Sequence, residues 1–169
     1  FVSGSVPGDL CKVRIIKDGG SYLIGRVEEF IKKSERRCEG RCDNAKCQSC
    51  AYKSLSYADE LAIKEESVRQ IFKKVGLPEV KVMPIVGSPT ERGYRNKAQY
   101  PVSRDKNGNY IIGFYAPKSH RVTDAVDCPL APRIFAEILT EVRGFFERHQ
   151  LSTYDEESGK GLLRHIYLR

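Results

Sequence analysis

No run of apolar residues in this 169-residue chain approaches the length that spans a bilayer. The opening stretch FVSGSVPGDL has neither the basic region nor the apolar segment of a secretion signal. Both absences predict a soluble, cytoplasmic protein with no membrane partner. Internal repeats and low-complexity segments are also missing, which excludes a repeat architecture. Histidine is sparse, and His120, His149 and His165 are scattered with no arrangement that suggests a catalytic triad. A hydrophobic content of 40% over this length can bury one good core and a small second module.

Cysteine is present but unevenly spread. Four of the six, Cys38, Cys42, Cys47 and Cys50, crowd into thirteen residues, where mutual disulfides would close tiny, strained loops. In a cytoplasmic protein that crowding points to a metal or a cluster. Cys42-x4-Cys47-x2-Cys50, closed by the distant Cys128 of Asp127-Cys128-Pro129-Leu130, has the four thiolates that a 4Fe-4S cluster needs. A cysteine followed by proline is a recurrent closing ligand of such clusters. The alternative is a local tetrahedral zinc site built from Cys38, Cys42, Cys47 and Cys50, with Cys128 as a core thiol. Cys11 lies in an alternating strand and reads as a small core residue.

The net charge of +7 is concentrated in one stretch. Between Lys81 and Thr123 there are eight Lys or Arg, among them Arg95, Lys97 and Lys118, against the two acids Glu91 and Asp105. Tyr94, Tyr100, Tyr110, Phe114 and Tyr115 are interleaved with them. Positive charge for phosphates beside flat rings for bases is the pattern of an RNA-binding surface, although each ring could equally be core.

The pattern predicts an α+β protein in three zones. Residues 1–36 read as short strands, Leu10 to Ile16 and Tyr22 to Ile31, forming part of an OB-like barrel whose other strands are expected before Phe1. Residues 37–55 form a cysteine-rich loop with too little apolar periodicity to be ordered by a core. Residues 56–169 read as a central α+β domain, with a mixed or antiparallel sheet and two packed helices.

The first helix is expected from a Ser56 cap to Gly76, with Leu61, Val68, Ile71, Phe72 and Val75 on one face. The second is expected from Ala131 to His149, with a wide apolar stripe from Ile134 to Phe146. Strands are expected at Val80 to Val86, Tyr94 to Val102, Tyr110 to Tyr115 and Gly161 to Arg169. In the second of these, alternation puts Arg95, Lys97 and Gln99 on the face opposite Asn96, Ala98, Tyr100 and Val102.

Several of these segments resemble one family in one order. Val6-Pro7-Gly8-Asp9 with the two strands after it resembles the later half of a TRAM domain. Ser34 to Cys42, the three-cysteine loop, and Tyr57 through Leu61 and Lys64 are similar to the opening of the central domain of RNA uracil-C5 methyltransferases. Gly93 to Tyr100, Gly113-Phe114-Tyr115 with Ser119-His120, Cys128-Pro129-Leu130, and Gly161 to Ile166 follow in the family's order. The resemblance covers almost the whole chain and is nearer to the iron–sulfur members that act on 23S ribosomal RNA than to those that act on the transfer-RNA T-loop, so ribosomal RNA is the expected substrate and transfer RNA the alternative.

That resemblance implies Cys42, Cys47, Cys50 and Cys128 as cluster ligands and leaves Cys38 outside, because Ser34-x7-Cys42 keeps the family's spacing. It also implies an RNA surface that includes Tyr94, Arg95, Lys97, Gln99, Ser119 and His120. Where the family has two glycines between its paired cysteines, this chain has Gln48-Ser49; where it has a polar pair, this chain has Lys53-Ser54, and Lys53 is read as a phosphate contact. In the family a cysteine adds to carbon 6 of a flipped-out uracil and S-adenosylmethionine methylates carbon 5. Those parts belong to a methyltransferase domain expected after Arg169. No glycine-rich loop joins a strand to a helix here, and no cysteine follows Cys128. The competing expectation is a stand-alone RNA-binding protein with a zinc-stabilised loop.

Overall fold

The computed structural model describes residues 1–39, 41–44, 46–117 and 119–169. Lys118, one of the eight basic residues of the charged stretch, lies outside the described residues. The architecture is α+β, with two helices and two sheets distributed over two compact units. Residues 1–41 and 52–87 form the first, and residues 42–51 with 88–169 form the second.

The first unit has a three-stranded sheet. β1 (Val2–Ser3) lies parallel to β3 (Leu23–Lys32), and β2 (Leu10–Asp18) runs antiparallel on the other side of β3. The expected alternation of Cys11, Val13 and Ile15 is only partly kept. Register shifts after Leu10, Lys12 and Ile15 break the two-residue period, so Cys11 and Val13 are half-buried while Ile15 and Ile16 are exposed.

α1 (Tyr57–Lys74) starts where Ser56 Oγ accepts from the Asp59 amide at 3.0 Å, so the sequence-predicted cap is present. It ends before Gly76, whose φ of +81° suits a residue without a Cβ. None of its residues is buried, and Val68, Ile71 and Val75 are exposed. Leu55, just before the helix, is the buried anchor of this unit at 1% exposure. Residues 80–86, expected as a strand, are not one. They lack a ladder partner, and the Ile85 amide donates instead to Glu65 Oε2 at 2.6 Å.

The second unit contains a four-stranded antiparallel sheet in the order β6-β5-β4-β7. The strands are β4 (Ala98–Arg104), β5 (Tyr110–Tyr115), β6 (Val122–Asp124) and β7 (His165–Leu168). β4 is shared along its length. Ala98 to Pro101 pair with β7, and Val102 to Arg104 pair with β5. Gly113 is required where β5 meets β6, because a Cβ there would lie 1.9 Å from the Thr123 carbonyl oxygen.

α2 (Arg133–His149) covers one face of this sheet. Phe135, Leu139 and Phe146 pack with Ala98, Tyr100, Val102, Tyr110 and Ile112 to make the core. Leu139 is fully buried, and truncating it to alanine would cost about 2–5 kcal/mol. The predicted stripe is wider than the buried one. Ile134, Ile138 and Phe145 are exposed, since the sheet reaches only the arc of the helix that holds Phe135, Leu139 and Phe146.

The strand expected at Tyr94 begins only at Ala98. Gly93 has a φ of +65°, its amide donates to the Pro129 carbonyl at 3.0 Å, and the Arg95 amide donates to the Leu130 carbonyl at 2.8 Å. Those contacts draw residues 93–95 to the Cys128 segment instead of into the ladder. Asn96, expected on the apolar side, is consequently exposed. Of the final expected strand, only His165–Leu168 pairs as β7, while Leu163 bridges to Thr153.

Candidate functional site

Cys42, Cys47 and Cys50 lie on a loop, without helix or strand, that belongs to the second unit, and Cys128 belongs to the same unit. Asn44 organises the loop. Its side chain accepts from the Cys47 amide at 3.0 Å and donates to the Asp124 carbonyl, at the end of β6, at 2.7 Å. All four thiols are half-buried. The Cys50 thiol is pushed above the ordinary thiol range by burial and then by Cys128, with smaller contributions from Cys47 and Cys42, while Arg95 pulls it down. Among the described residues, no group of three or more His, Cys, Asp or Glu side chains is already arranged to hold a metal ion.

Tyr100 adds a second observation. Its ring is fully buried, and its hydroxyl has no hydrogen-bond partner among the described residues. Burial and then the Cys128 charge push that hydroxyl above the usual phenol range, with Arg95 opposing. A buried donor without an acceptor is costly, which makes the place beside Cys128 chemically incomplete. The donor set and this orphaned hydroxyl fit a sulfide-containing group.

The sheet face opposite α2 is the other part of the site. Register places Gln99 opposite Tyr167 and Pro101 opposite His165, so these four side chains share a face. Gln99 and Tyr167 are exposed, and the Lys97 ammonium lies 5.5 Å from the Tyr167 ring centre. Tyr115 Oη is 3.2 Å from His165 Nε2, and the Tyr115 and His120 rings are 5.6 Å apart. Two ring residues, two histidines, an amide and an ammonium thus line one open surface.

The predicted RNA residues are distributed over more than this face. Lys97, Gln99 and His120 belong to it or border it. Arg95 precedes the strand, half-buried, with its guanidinium 6.0 Å from the Phe114 ring centre. Tyr94 is exposed in the same irregular segment. Ser119 forms a turn, its hydroxyl donating to the Ala116 carbonyl at 3.1 Å. Lys53 is half-buried in the first unit, apart from the others in the chain's division. Sequence reasoning missed Tyr167, Tyr154, Glu156 and Arg164. The alternation of His165 and Tyr167 with Ile166 and Leu168 was the available signal for the first of these.

Among the described residues, no helix is long and apolar enough to cross a membrane. No protein-family model matches the chain. It is 35% identical over 170 residues to a Clostridium tetani protein named an uncharacterized RNA methyltransferase. It is 36% identical over 171 residues to a protein of the same description from Oceanobacillus iheyensis, and 34% identical over 171 residues to one from Synechocystis. Each match takes in 100% of this chain but only 37% of the relative's length. In structure, the chain is similar to Pyrococcus abyssi tRNA (uracil-54, C5)-methyltransferase, which was crystallised with S-adenosyl-L-homocysteine. The TM-score is 0.75 at 22% identity, covering 99% of this chain and 37% of that one, and this likeness establishes a shared fold.

Proposed function

We propose that this chain, whose whole length matches 37% of the length of RNA methyltransferase relatives, is the RNA-binding, iron–sulfur portion of an S-adenosylmethionine-dependent RNA uracil-C5 methyltransferase acting on ribosomal RNA. The observation that supports the reading is that Cys42, Cys47, Cys50 and Cys128 belong to one unit, which also holds a buried Tyr100 hydroxyl without a partner among the described residues. Those four cysteines would hold a 4Fe-4S cluster. When bound, the cluster supplies four covalent ties that order a loop with no core of its own.

This chain's own residues deliver the RNA. Lys97 and Arg95 neutralise phosphates, and Lys53 does so from the first unit; such contacts position a strand without reading it. Tyr94, Tyr115 and Tyr167 offer exposed ring area on which unpaired bases stack, with Gln99, Ser119 and His120 as polar contacts. The methyl donor and the nucleophilic cysteine belong to a methyltransferase domain elsewhere in the full-length protein. Activity in this 169-residue chain is therefore not expected.

The testing experiment is anaerobic preparation followed by iron and acid-labile sulfide analysis of the wild type and of Cys128→Ser. About four irons and four sulfides per chain, lost in the variant, support the reading. Stoichiometric zinc, retained in Cys128→Ser and lost in Cys38→Ser, would favour the alternative zinc-stabilised RNA-binding protein instead.

A further inference from the structure

A cavity of about 370 Å³ opens between the end of β5 and the segment from Tyr154 to Glu157, all within the second unit. It falls within the roughly 300–1,000 Å³ typical of ligand sites, so it has room for a flat nucleobase. The segment is held in place by backbone bonds, from the Tyr154 amide to the Leu163 carbonyl and from the Asp155 amide to the Lys160 carbonyl, both 2.7 Å. Tyr115, His120, Tyr154, Glu156 and Arg164 line the cavity.

The polar groups have distinct tasks. Asp155 is occupied by the local turn, accepting from the Ser158 amide at 2.7 Å and the Ser158 hydroxyl at 2.6 Å. Glu156 is different. Its Oε2 lies 2.5 Å from His120 Nδ1, but its Oε1 lies 3.7 Å from Arg164, too far for a hydrogen bond. A carboxylate has about four acceptor positions, so Oε1 can still take a donor. The Arg164 guanidinium rests 4.8 Å from the Tyr154 ring centre and so presents a flat, cationic wall. Tyr115 faces the same space. Its hydroxyl is pushed above the usual phenol range by burial and then by the Glu156 charge, while Arg164 pulls it down.

In a chain of net charge +7, this cavity has three acids in succession, Asp155, Glu156 and Glu157, along one side. Such a wall repels phosphate. Flat aromatic and guanidinium surfaces beside an acceptor instead suit a neutral ring that carries hydrogen-bond donors. Cytosine, adenine and guanine each have an exocyclic amino group to give to Glu156, whereas uracil has a single ring N–H flanked by two carbonyl oxygens that the carboxylate repels. Resting on the RNA-binding reading, we propose that this cavity captures one unstacked RNA base bearing an exocyclic amino group, a neighbour of the uridine to be modified and not that uridine itself.

The test uses the full 169-residue chain and labelled nine-nucleotide single-stranded RNAs, uridine throughout except for a central cytidine, adenosine, uridine or abasic residue. Fluorescence anisotropy at fixed salt should give about tenfold tighter binding for central cytidine or adenosine than for central uridine or the abasic site. Glu156→Gln, whose amide both donates and accepts, should bring cytidine, adenosine and uridine to within about twofold of each other without changing the salt dependence. Equal, measurable binding of all four RNAs would overturn the pocket assignment and leave the RNA-binding reading standing. Binding of none would overturn both.

Discussion

The Arg37 guanidinium grips both oxygens of the Asp9 carboxylate, Nε to Oδ1 at 2.8 Å and Nη2 to Oδ2 at 2.5 Å. The same carboxylate accepts from the Val6 amide at 2.7 Å and the Ser34 amide at 2.9 Å. Arg37 also donates to the Gly4 carbonyl at 2.8 Å and lies over the Phe30 ring, 4.7 Å from its centre. One aspartate therefore fastens the turn before β2 to the chain leaving β3. Its side chain is only 1% exposed, so the pair is buried enough to resist screening.

Acid should release that fastening. The Arg37 hydrogen bonds hold the Asp9 carboxyl well below its ordinary 3.8, burial opposes them, and the Ser34 and Val6 amides add to the lowering. A carboxyl depressed on folding stabilises fully above its unfolded value, and that stabilisation is lost as pH falls through and below about 4 toward the folded value. Asp9→Asn should destabilise the first unit by about 3 kcal/mol at neutral pH. Thermal melts followed by circular dichroism from pH 7 to pH 2 check both points. The variant should lose the acid-dependent part of the stability curve, and an identical curve in both proteins would refute the assignment.

Anaerobically prepared protein should absorb broadly in the visible region, and Cys128→Ser should bleach it. Cys38→Ser should leave the absorbance unchanged, because the proposed ligand set excludes Cys38. Iron content and visible spectra of the two variants, measured side by side, separate the cluster from the zinc site.

S-adenosylmethionine should not bind to this chain. Isothermal calorimetry of the 169 residues against the cofactor is expected to show no heat of binding, and RNA incubated with both should gain no methyl label. A measurable dissociation constant would mean that the cofactor site is built from residues assigned here to RNA.

Removing the Arg95 and Lys97 charges together should weaken RNA binding without changing which RNA is preferred. Arg95→Ala combined with Lys97→Ala should lower the magnitude of the salt slope by roughly one to two. Titration of a ribosomal RNA hairpin at several salt concentrations gives the slope directly. An unaltered affinity and slope would move the RNA to another surface.

Local chemistry was the part of the fold legible in the sequence. Ser56 marked its helix because a cap acts within one turn, and Phe135, Leu139 and Phe146 were legible because the helical period is also local. Long-range pairing was harder to read. Residues 80–86 are rich in β-branched residues, as a strand would be, yet a strand needs a partner, and the Ile85 amide found Glu65. The Tyr94 segment was lost in the same way to the Pro129 and Leu130 carbonyls, which separated Arg95 from Lys97. At the site, the cysteine spacing brought Cys42, Cys47 and Cys50 to notice. Glu156 had no signal of its own, and Arg164 stood out only as part of the Gly161 to Ile166 segment, because a loop closed by the Thr153 and Leu163 bridge is what brings them to Tyr115.

The division of β4 between two partners has a consequence for synthesis. Val102 to Arg104 pair with β5 across a short hairpin and can form as soon as that hairpin leaves the ribosome. Ala98 to Pro101 must wait for His165 to Leu168, so Ala98 stays unpaired until Leu168 has been made. Until then the strand that carries Gln99 has an open edge, and the platform formed by Gln99 with Tyr167 does not exist. The surface is thus completed only by the last strand of the sheet to be translated.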